Sequence, residues 1–480
     1  VVAVLVAACG GPPEDTREGA GSAPTAELIP RGTAGLHAVL PSVVLLGEPA
    51  DLRVAPLTDL GTPDGEWSGD LEMESTDTGL VAFAPFEQVT PASWRRSVVF
   101  RTPGLQRITV RSGSLETVAG PVRVVRTEEE LRARAGAPAR RIYWGDAHGH
   151  TDLGDGTGTP PSYLLYAREF SHLDYVCLSE HDFQQFLEVG FDEQPAGWDS
   201  VATLAAEWRR PGFAVLLGWE WSSREHGHRV VLFPDDESRY VSFRRVGTPA
   251  GLAEALAGTG AFSVLAHPSG SRLTPEIRWD TVVPGFDRVV EIYSGHGSMD
   301  ESDYRPTSEP APGHGAIESL RRGIPLGFAA FSDTHLSTPG NPWPPELRDS
   351  PWPGGLTAVI ATGPSEREIH RALGAGRCYA TSGPRFLVDV TLDGAGPGEA
   401  LELPRGGHAR LRGIVAAPRI LESVEILFGL DPERRLAGGG PQMEIDLTLG
   451  PFDEDTPVWL AGRSADDERF WTTPVWVRVP

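Results

Sequence analysis

Strand-like apolar runs in the middle of this chain end, one after another, in a histidine or a carboxylate, and that alternation restricts the fold more than any other feature of the sequence. His148 and His150 follow the run 142–144, Glu180 and His181 follow 173–178, Glu220 follows 213–217, and His267 follows 262–265. Glu291 falls inside 289–293, and Asp333 and His335 follow 326–331. Two more strand candidates lie at 230–233 and 356–361. Helical patterns at 163–170, 252–256, 317–321 and 365–373 separate several of these runs, the last with Ser365 and Glu368 at capping-box spacing. Alternating strands and helices predict an α/β architecture, and seven or eight repeats favour a barrel over an open sheet. In a barrel the C-terminal strand ends share one mouth, so side chains spread from residue 148 to residue 335 become neighbours.

One histidine beside a strand is more often structural than a ligand. A whole series of imidazoles and acids at successive strand ends is another matter, because crowding acids out of water is costly and a divalent metal offsets their repulsion. Imidazole mixed with carboxylate, and no thiolate, suits zinc, manganese or iron.

The 480 residues exceed one ordinary core, so smaller modules are expected beside the barrel. Short apolar runs such as 43–46, 98–100 and 107–110, punctuated by Gly, Pro and Asp, predict a β-sandwich over 26–127, joined by a helix-like stretch at 128–134. The barrel is expected over 140–384, and alternating runs such as 386–390 and 475–479 predict a second β-sandwich over 385–480. A formal charge of −24 argues against a nucleic-acid groove. Lysine is absent, so any side-chain cation that grips an anion must be arginine. Cys177 and Cys378 stand alone in apolar stretches and read as small core residues. The run 1–8 ends in two alanines before Cys9, which resembles the tail of a bacterial lipoprotein signal. Residues 1–25 are then a signal remnant and flexible tether, with the protein held at the cell envelope by lipid on Cys9, on the periplasmic or extracellular face.

The segment Asp146-Ala147-His148-Gly149-His150, continuing to Gly156, closely resembles the opening motif of the polymerase and histidinol phosphatase (PHP) superfamily. Residues 173–182, with Glu180 and His181, look like its second motif, and Gly218-Trp219-Glu220, Ala266-His267-Pro268 and Ser332-Asp333-Thr334-His335 are similar to the later ones in order. The stretches 377–383 and 472–477 further resemble an uncharacterised PHP-like branch with an appended C-terminal region. The resemblance implies a distorted (β/α)7 barrel and three divalent metal ions. Carried over, His148, His150, Glu220 and Asp333 hold one ion, Glu220 bridges to a second held by His228 and His267, and Asp155, His181 and His335 hold the third. His226 is the alternative to His228, which is preferred because it abuts the run 230–233. Where the family usually has Asp before the histidine of its second motif, this chain has Glu180. Asp146, Asp182 and Glu291 are candidates for orienting imidazole rings, while His172, His296 and His314 read as surface or loop residues.

The activity so implied is phosphomonoester or phosphodiester hydrolysis, on a small-molecule or glycan-linked substrate, with water acidified by the metals as nucleophile. Asp333, His335 and Arg229 are the candidate catalytic residues, with Arg224 and Arg377 as other cations near the motifs. Two rivals differ in class. One is an amidohydrolase-type C–N hydrolase, many of which need a carboxylated lysine that this chain lacks. The other is a surface-binding lipoprotein whose metal site is structural.

Overall fold

The computed structural model describes residues 32–132, 136–183, 195–236, 239–272, 274–341 and 352–480. The run 1–8, Cys9 and the tether lie outside the described residues. Among the described residues, no helix is long and apolar enough to cross a membrane.

The described residues are strand-rich, with 28 strands and five α-helices. Its N-terminal part forms two sheets. One contains Thr33–Val39, Pro49–Thr58 and Ser93–Val99, and the other contains Val43–Leu45, Glu72–Ser75, Gly104–Ser112 and Leu115–Val125. Period-two alternation drives their packing. Gly104–Ser112 buries every second residue from Gln106 onward, so that Ile108 and Val110 meet Leu52, Val54 and Val98 in one core. Fully burying each such side chain contributes about 1.5–3 kcal/mol.

The central sheet positions the histidines. Arg141–Asp146 runs parallel to Tyr175–Leu178, which runs parallel to Ala214–Ser223. The parallel order then breaks, because a short turn sends the chain straight back as Gly227–Phe233, antiparallel to Ala214–Ser223. Gly227 takes φ +77° there, and a Cβ on it would sit 2.8 Å from the carbonyl oxygen of Glu276, so the turn needs glycine. Phe262–Leu265 continues antiparallel, followed by the parallel strands Asp287–Ser294 and Gly327–Ala330. The expected regular alternation of strand and helix therefore does not hold: the hydrogen-bonded order is a mixed sheet. Beyond the last of these strands, Asp333 N–H donates to the His148 carbonyl at 2.9 Å and His150 N–H to the Thr334 carbonyl at 2.8 Å.

Helix starts follow their caps. Thr159 caps Pro160–Glu169 by accepting from Ser162 N–H, with proline in the first turn. Ser365 caps Glu366–Gly374 through Glu368 N–H, but the expected reciprocal bond is absent, because the Glu368 carboxylate turns to Thr362 and Arg371 instead. The helix-like stretch after residue 127 is a single 3-10 turn, Glu128–Leu131.

No break in hydrogen bonding marks residue 384. Leu356–Ala361 and Cys378–Thr381 extend the central sheet, and Arg469–Thr472, Thr456–Ser464 and Leu421–Phe428 continue it. A separate three-stranded sheet, Leu387–Leu392, Gly407–Ala416 and Gln442–Phe452, covers one side of this extension. Cys177 and Cys378 are buried free thiols.

Candidate metal centre

Nine side chains from six segments of the chain meet at one end of the central sheet. Glu220 lies at their middle, on the inward face of Ala214–Ser223. Its Oε1 is 2.9 Å from Nδ1 of His228 and 3.2 Å from Nε2 of His267. Its Oε2 is 2.9 Å from Nδ1 of His181, 3.3 Å from Nε2 of His148 and 3.4 Å from Nε2 of His150. Asp333 Oδ1 lies 3.0 Å from His150 and 3.4 Å from His148. Asp155 reaches His181 at 3.6 Å and His335 at 3.5 Å. Inward pointing follows from strand alternation: Ser222, Glu220 and His228 share one face of the hairpin.

All of these groups are buried except Asp155, which is half-buried, and His335, whose side chain is 30% exposed and marks the open side. Burial without partners is the telling feature. Nε2 of His148, Nδ1 of His150, Oδ1 of Asp155, Oε2 of Glu220 and Nδ1 of His267 have no hydrogen-bond partner. Buried polar atoms are nearly always satisfied, so such a concentration around one carboxylate fits a cation better than it fits a finished core. His267 and Asp333 also hold left-handed backbones, φ 31° and 52°. Strain of about 1–3 kcal/mol at each persists only where the surroundings fix it.

The charges are coupled. Burial opposes ionisation of Glu220 and Asp333, yet the histidines around them hold both carboxyls well below the usual range. Burial likewise lowers His148, but Asp333, Glu291 and Glu220 outweigh it and hold that imidazole well above its ordinary value. His181 rises to about 10, against burial, through Glu220 and Asp155. His150 falls to about 4 through burial and the rings of His335 and His181, which stack on it at 4.3 and 4.4 Å. The acids are thus ionised and compensated by protons that a divalent cation can displace.

Among the described residues, four groups have donor atoms close enough to hold a metal ion: His150, Asp155, His181 and His335; His148, His267 and Asp333; His148, His150 and Glu220; and His181, Glu220 and His228. These contain every residue expected as a ligand, although the groups overlap differently from the three sets implied by the resemblance. His228 touches Glu220, whereas His226 is absent from all four groups.

Supporting contacts fix the rings. Glu291 accepts from Nδ1 of His148 at 2.7 Å, which leaves Nε2 facing inward, and from His267 N–H at 2.6 Å. Ser222 Oγ lies 2.8 Å from Nδ1 of His181. Nδ1–H of His335 donates to the Asp333 carbonyl at 3.1 Å, which turns Nε2 toward Asp155. Asp146 and Asp182 act differently from the expectation that they orient rings: each accepts backbone N–H groups, His148, Ser332 and Gly340 for Asp146, Ser222, Phe243 and Phe183 for Asp182. Glu180 binds the amide and hydroxyl of Thr151 at 3.1 and 2.5 Å, and so holds the loop that leads to Asp155.

Two expectations change. Arg229 does not face the centre. Its neighbour His228 points in, so strand alternation sends Arg229 out, where its buried guanidinium pairs with buried Asp287 at 3.2 Å and lies over Trp221. His296 is not a surface residue: it is 5% exposed, and its Nε2 lies 2.7 Å from Asp333 Oδ2. The signal was present, since His296 follows the strand Asp287–Ser294 as the other histidines follow theirs.

No family model matches the chain. It is similar to an uncharacterised protein of Chlamydia pneumoniae, 22% identical over 423 residues, which cover 79% of this chain and 63% of that protein. An uncharacterised protein of Chlamydia trachomatis is 24% identical over 417 residues, with the same shares. The chain thus spans 63% of the length of these relatives. Among solved structures, a two-domain protein of Bacteroides vulgatus, described as containing a predicted PHP-like metal-dependent phosphoesterase, is 16% identical at a TM-score of 0.36, covering 70% of this chain and 96% of that one.

Proposed function

We propose that this chain is a metal-dependent hydrolase of phosphate esters. The observation that carries the proposal is the convergence of His148, His150, Asp155, His181, Glu220, His228, His267, Asp333 and His335 with buried donor atoms that nothing else satisfies. Their chemistry fits zinc, manganese or iron, and the overlap of the groups at Glu220 and His150 favours more than one ion. Such ions, when bound, acidify water toward neutral pH and take up negative charge on an ester oxygen.

The chain's own residues do the rest. Glu220 turns its two carboxylate oxygens to facing sets of rings, so it would be shared between the donor groups on either side. Glu291 and Ser222 hold the rings of His148 and His181 in fixed orientations. His335, raised to about 9 by Asp155 against the partial burial of its ring, sits at the open side with Nδ1 committed to a carbonyl, and is the residue placed to meet a substrate. Arg229 is withdrawn from the catalytic set because its charge is spent on Asp287. The finer fold reading belongs to the same proposal: a distorted seven-stranded barrel, supported by the isolated parallel bridge between Gly149 and Thr334, in the segments that follow Arg141–Asp146 and Gly327–Ala330.

The phosphoester assignment rests on the order and spacing of the sequence motifs. Elemental analysis of purified protein, combined with phosphate release from a panel of monoesters and diesters, tests it. Full activity after exhaustive chelation would sink the metal reading, and release of ammonia or amine without phosphate would replace the phosphoesterase by an amidohydrolase.

A further inference from the structure

We infer that the C-terminal region completes the metal centre: Glu468, through Arg305, fixes the turn that carries His296, and His296 sets the orientation of the Asp333 carboxylate. The inference rests on the metal reading above and assigns two positioning residues to it.

The turn is short and its return limb is held from outside. Gly297–Ser298 folds back on Tyr293 and Ser294, so His296 stands at the tip. A Cβ on Gly297 would lie 2.5 Å from the Arg305 carbonyl, and Ser298 N–H donates to that carbonyl at 2.8 Å. The position of the tip is therefore set by where residue 305 is held. Arg305 has a left-handed backbone, φ 40°, which a side chain so large adopts only under constraint. The constraint is visible. Its guanidinium makes a two-pronged pair with Glu468, Nη2 to Oε1 at 2.7 Å and Nη1 to Oε2 at 3.2 Å, and Nη1 also donates to the Tyr293 hydroxyl at 3.0 Å. Ser382 Oγ–H donates to the same Glu468 carboxylate at 2.6 Å. Trp471 Nε1–H, three residues along from Glu468, donates to Asp300 at 2.9 Å and holds the same loop a second time. Both partners of the Arg305–Glu468 pair are largely buried, at 17% and 20% exposure, where a forked charge-assisted contact has most effect.

At the other end of the chain of contacts, Asp333 divides its oxygens. Oδ1 faces His150 and His148, and Oδ2 meets only His296 among the histidines around it, at 2.7 Å. Without His296 the carboxylate loses its contact at Oδ2 and is held by the imidazoles at Oδ1. A merely structural role for Glu468, as a link between two parts of the fold, would leave metal affinity untouched.

Competition between the full-length protein and a chelator for Mn2+ reads the difference. His296→Ala is expected to weaken Mn2+ binding about tenfold to a hundredfold, the range for partners that orient ligands. Glu468→Gln is expected to weaken it about threefold to tenfold, as a coupled but more distant residue. The double variant should bind no more weakly than His296→Ala alone, since both act on one carboxylate. Arg410→Ala, which removes an exposed pair with Asp446 in the same region, should bind as wild type. Wild-type affinity in folded Glu468→Gln, or independent multiplying losses in the double variant, would overturn this link alone; a wild-type protein that takes up no Mn2+ would overturn the metal reading with it. Should Glu468→Gln fail to fold, Arg305→Lys keeps the charge, loses the fork and faces the same two outcomes.

Discussion

Asp77 in the N-terminal sheets and Glu220 in the central sheet are both carboxylates withdrawn from water, 2% and 0% exposed, yet they are held in opposite ways. Asp77 is answered completely by its own chain. Gly79 N–H and Thr102 Oγ–H donate to Oδ1 at 2.9 and 2.8 Å, and the N–H groups of Arg101 and Thr102 donate to Oδ2 at 2.6 and 2.9 Å. Glu220 faces His148, His150, His181, His228 and His267, while its Oε2 makes no hydrogen bond. A carboxylate whose lone pairs are filled by backbone donors stabilises a loop and needs nothing further. One ringed by imidazoles whose protons a cation can displace is a candidate ligand set. The contrast locates function by the kind of satisfaction a buried charge receives, since both acids are equally buried.

The sharpest way to break the contrast is to remove each acid in turn and ask about metal. Glu220→Ala is expected to lose metal affinity by at least about a hundredfold, the upper end of what a supporting residue would cost, because it removes a ligand shared by two groups. Asp77→Ala should retain full metal content by elemental analysis. In the same pair, chelator should lower the thermal midpoint of wild type and of Asp77→Ala but not of Glu220→Ala, since binding at a hundredfold excess over Kd contributes about 2.7 kcal/mol. Equal metal content in Glu220→Ala and wild type would remove the distinction altogether.

A second buried charge sharpens it within the central sheet. Arg229 and Asp287 neutralise each other at 0% exposure on the face opposite the histidines. Arg229→Ala leaves Asp287 buried without its counter-ion, bonded only to the Ser263 hydroxyl and Val283 N–H, so a loss of about 3–5 kcal/mol in denaturant unfolding is expected, with metal content of the folded protein unchanged. A variant of normal stability that no longer releases phosphate would return Arg229 to the catalytic set.

Arg229 also shows where reading the sequence reaches its limit. The series His148, Glu220, His267, Asp333 was legible because each residue follows or ends an apolar run, and strand ends converge whatever the details of packing. The strands 262–265 and 356–361 were legible to the residue for the same reason. Which face a residue takes was not: adjacent His228 and Arg229 differ only by alternation, and its phase depends on the hairpin register set at Gly227. The departure from regular strand–helix alternation comes from the same hairpin, whose three-residue turn carries no strong turn dipeptide. His296 follows an apolar run as the other histidines do, but it stands on a reversal whose position depends on the Arg305–Glu468 pair, formed across more than 160 positions of chain, so its approach to Asp333 leaves no local mark. The seamless passage of the central sheet into the C-terminal strands was hidden likewise, since the pairing of Tyr379 with Thr472 leaves no local mark.

Glu291 offers a finer division between holding a metal and holding a ligand. It belongs to none of the four donor groups, but it fixes the ring of His148 and the amide of His267. Glu291→Gln should therefore keep the stoichiometry of bound metal while weakening affinity about tenfold. Loss of an entire equivalent would make it a ligand.

The smallest effect belongs to Asp77 and its pH dependence. Burial favours the neutral acid, but the donors from Arg101, Thr102 and Gly79 outweigh it and depress its folded pKa below the ordinary 3.8. The sign follows from linkage: a carboxyl depressed in the folded state contributes stability that is complete above its unfolded value and lost as pH falls through the folded one. Unfolding free energy of wild type should thus decline more steeply than that of Asp77→Asn on titration below pH of about 4, and the two should run parallel above pH of about 6. Chelator should not alter that difference, because the donors around Asp77 come from its own loops. A difference that did change with metal would couple the two acids, and the division between a carboxylate closed by its chain and one left for a cation would fail.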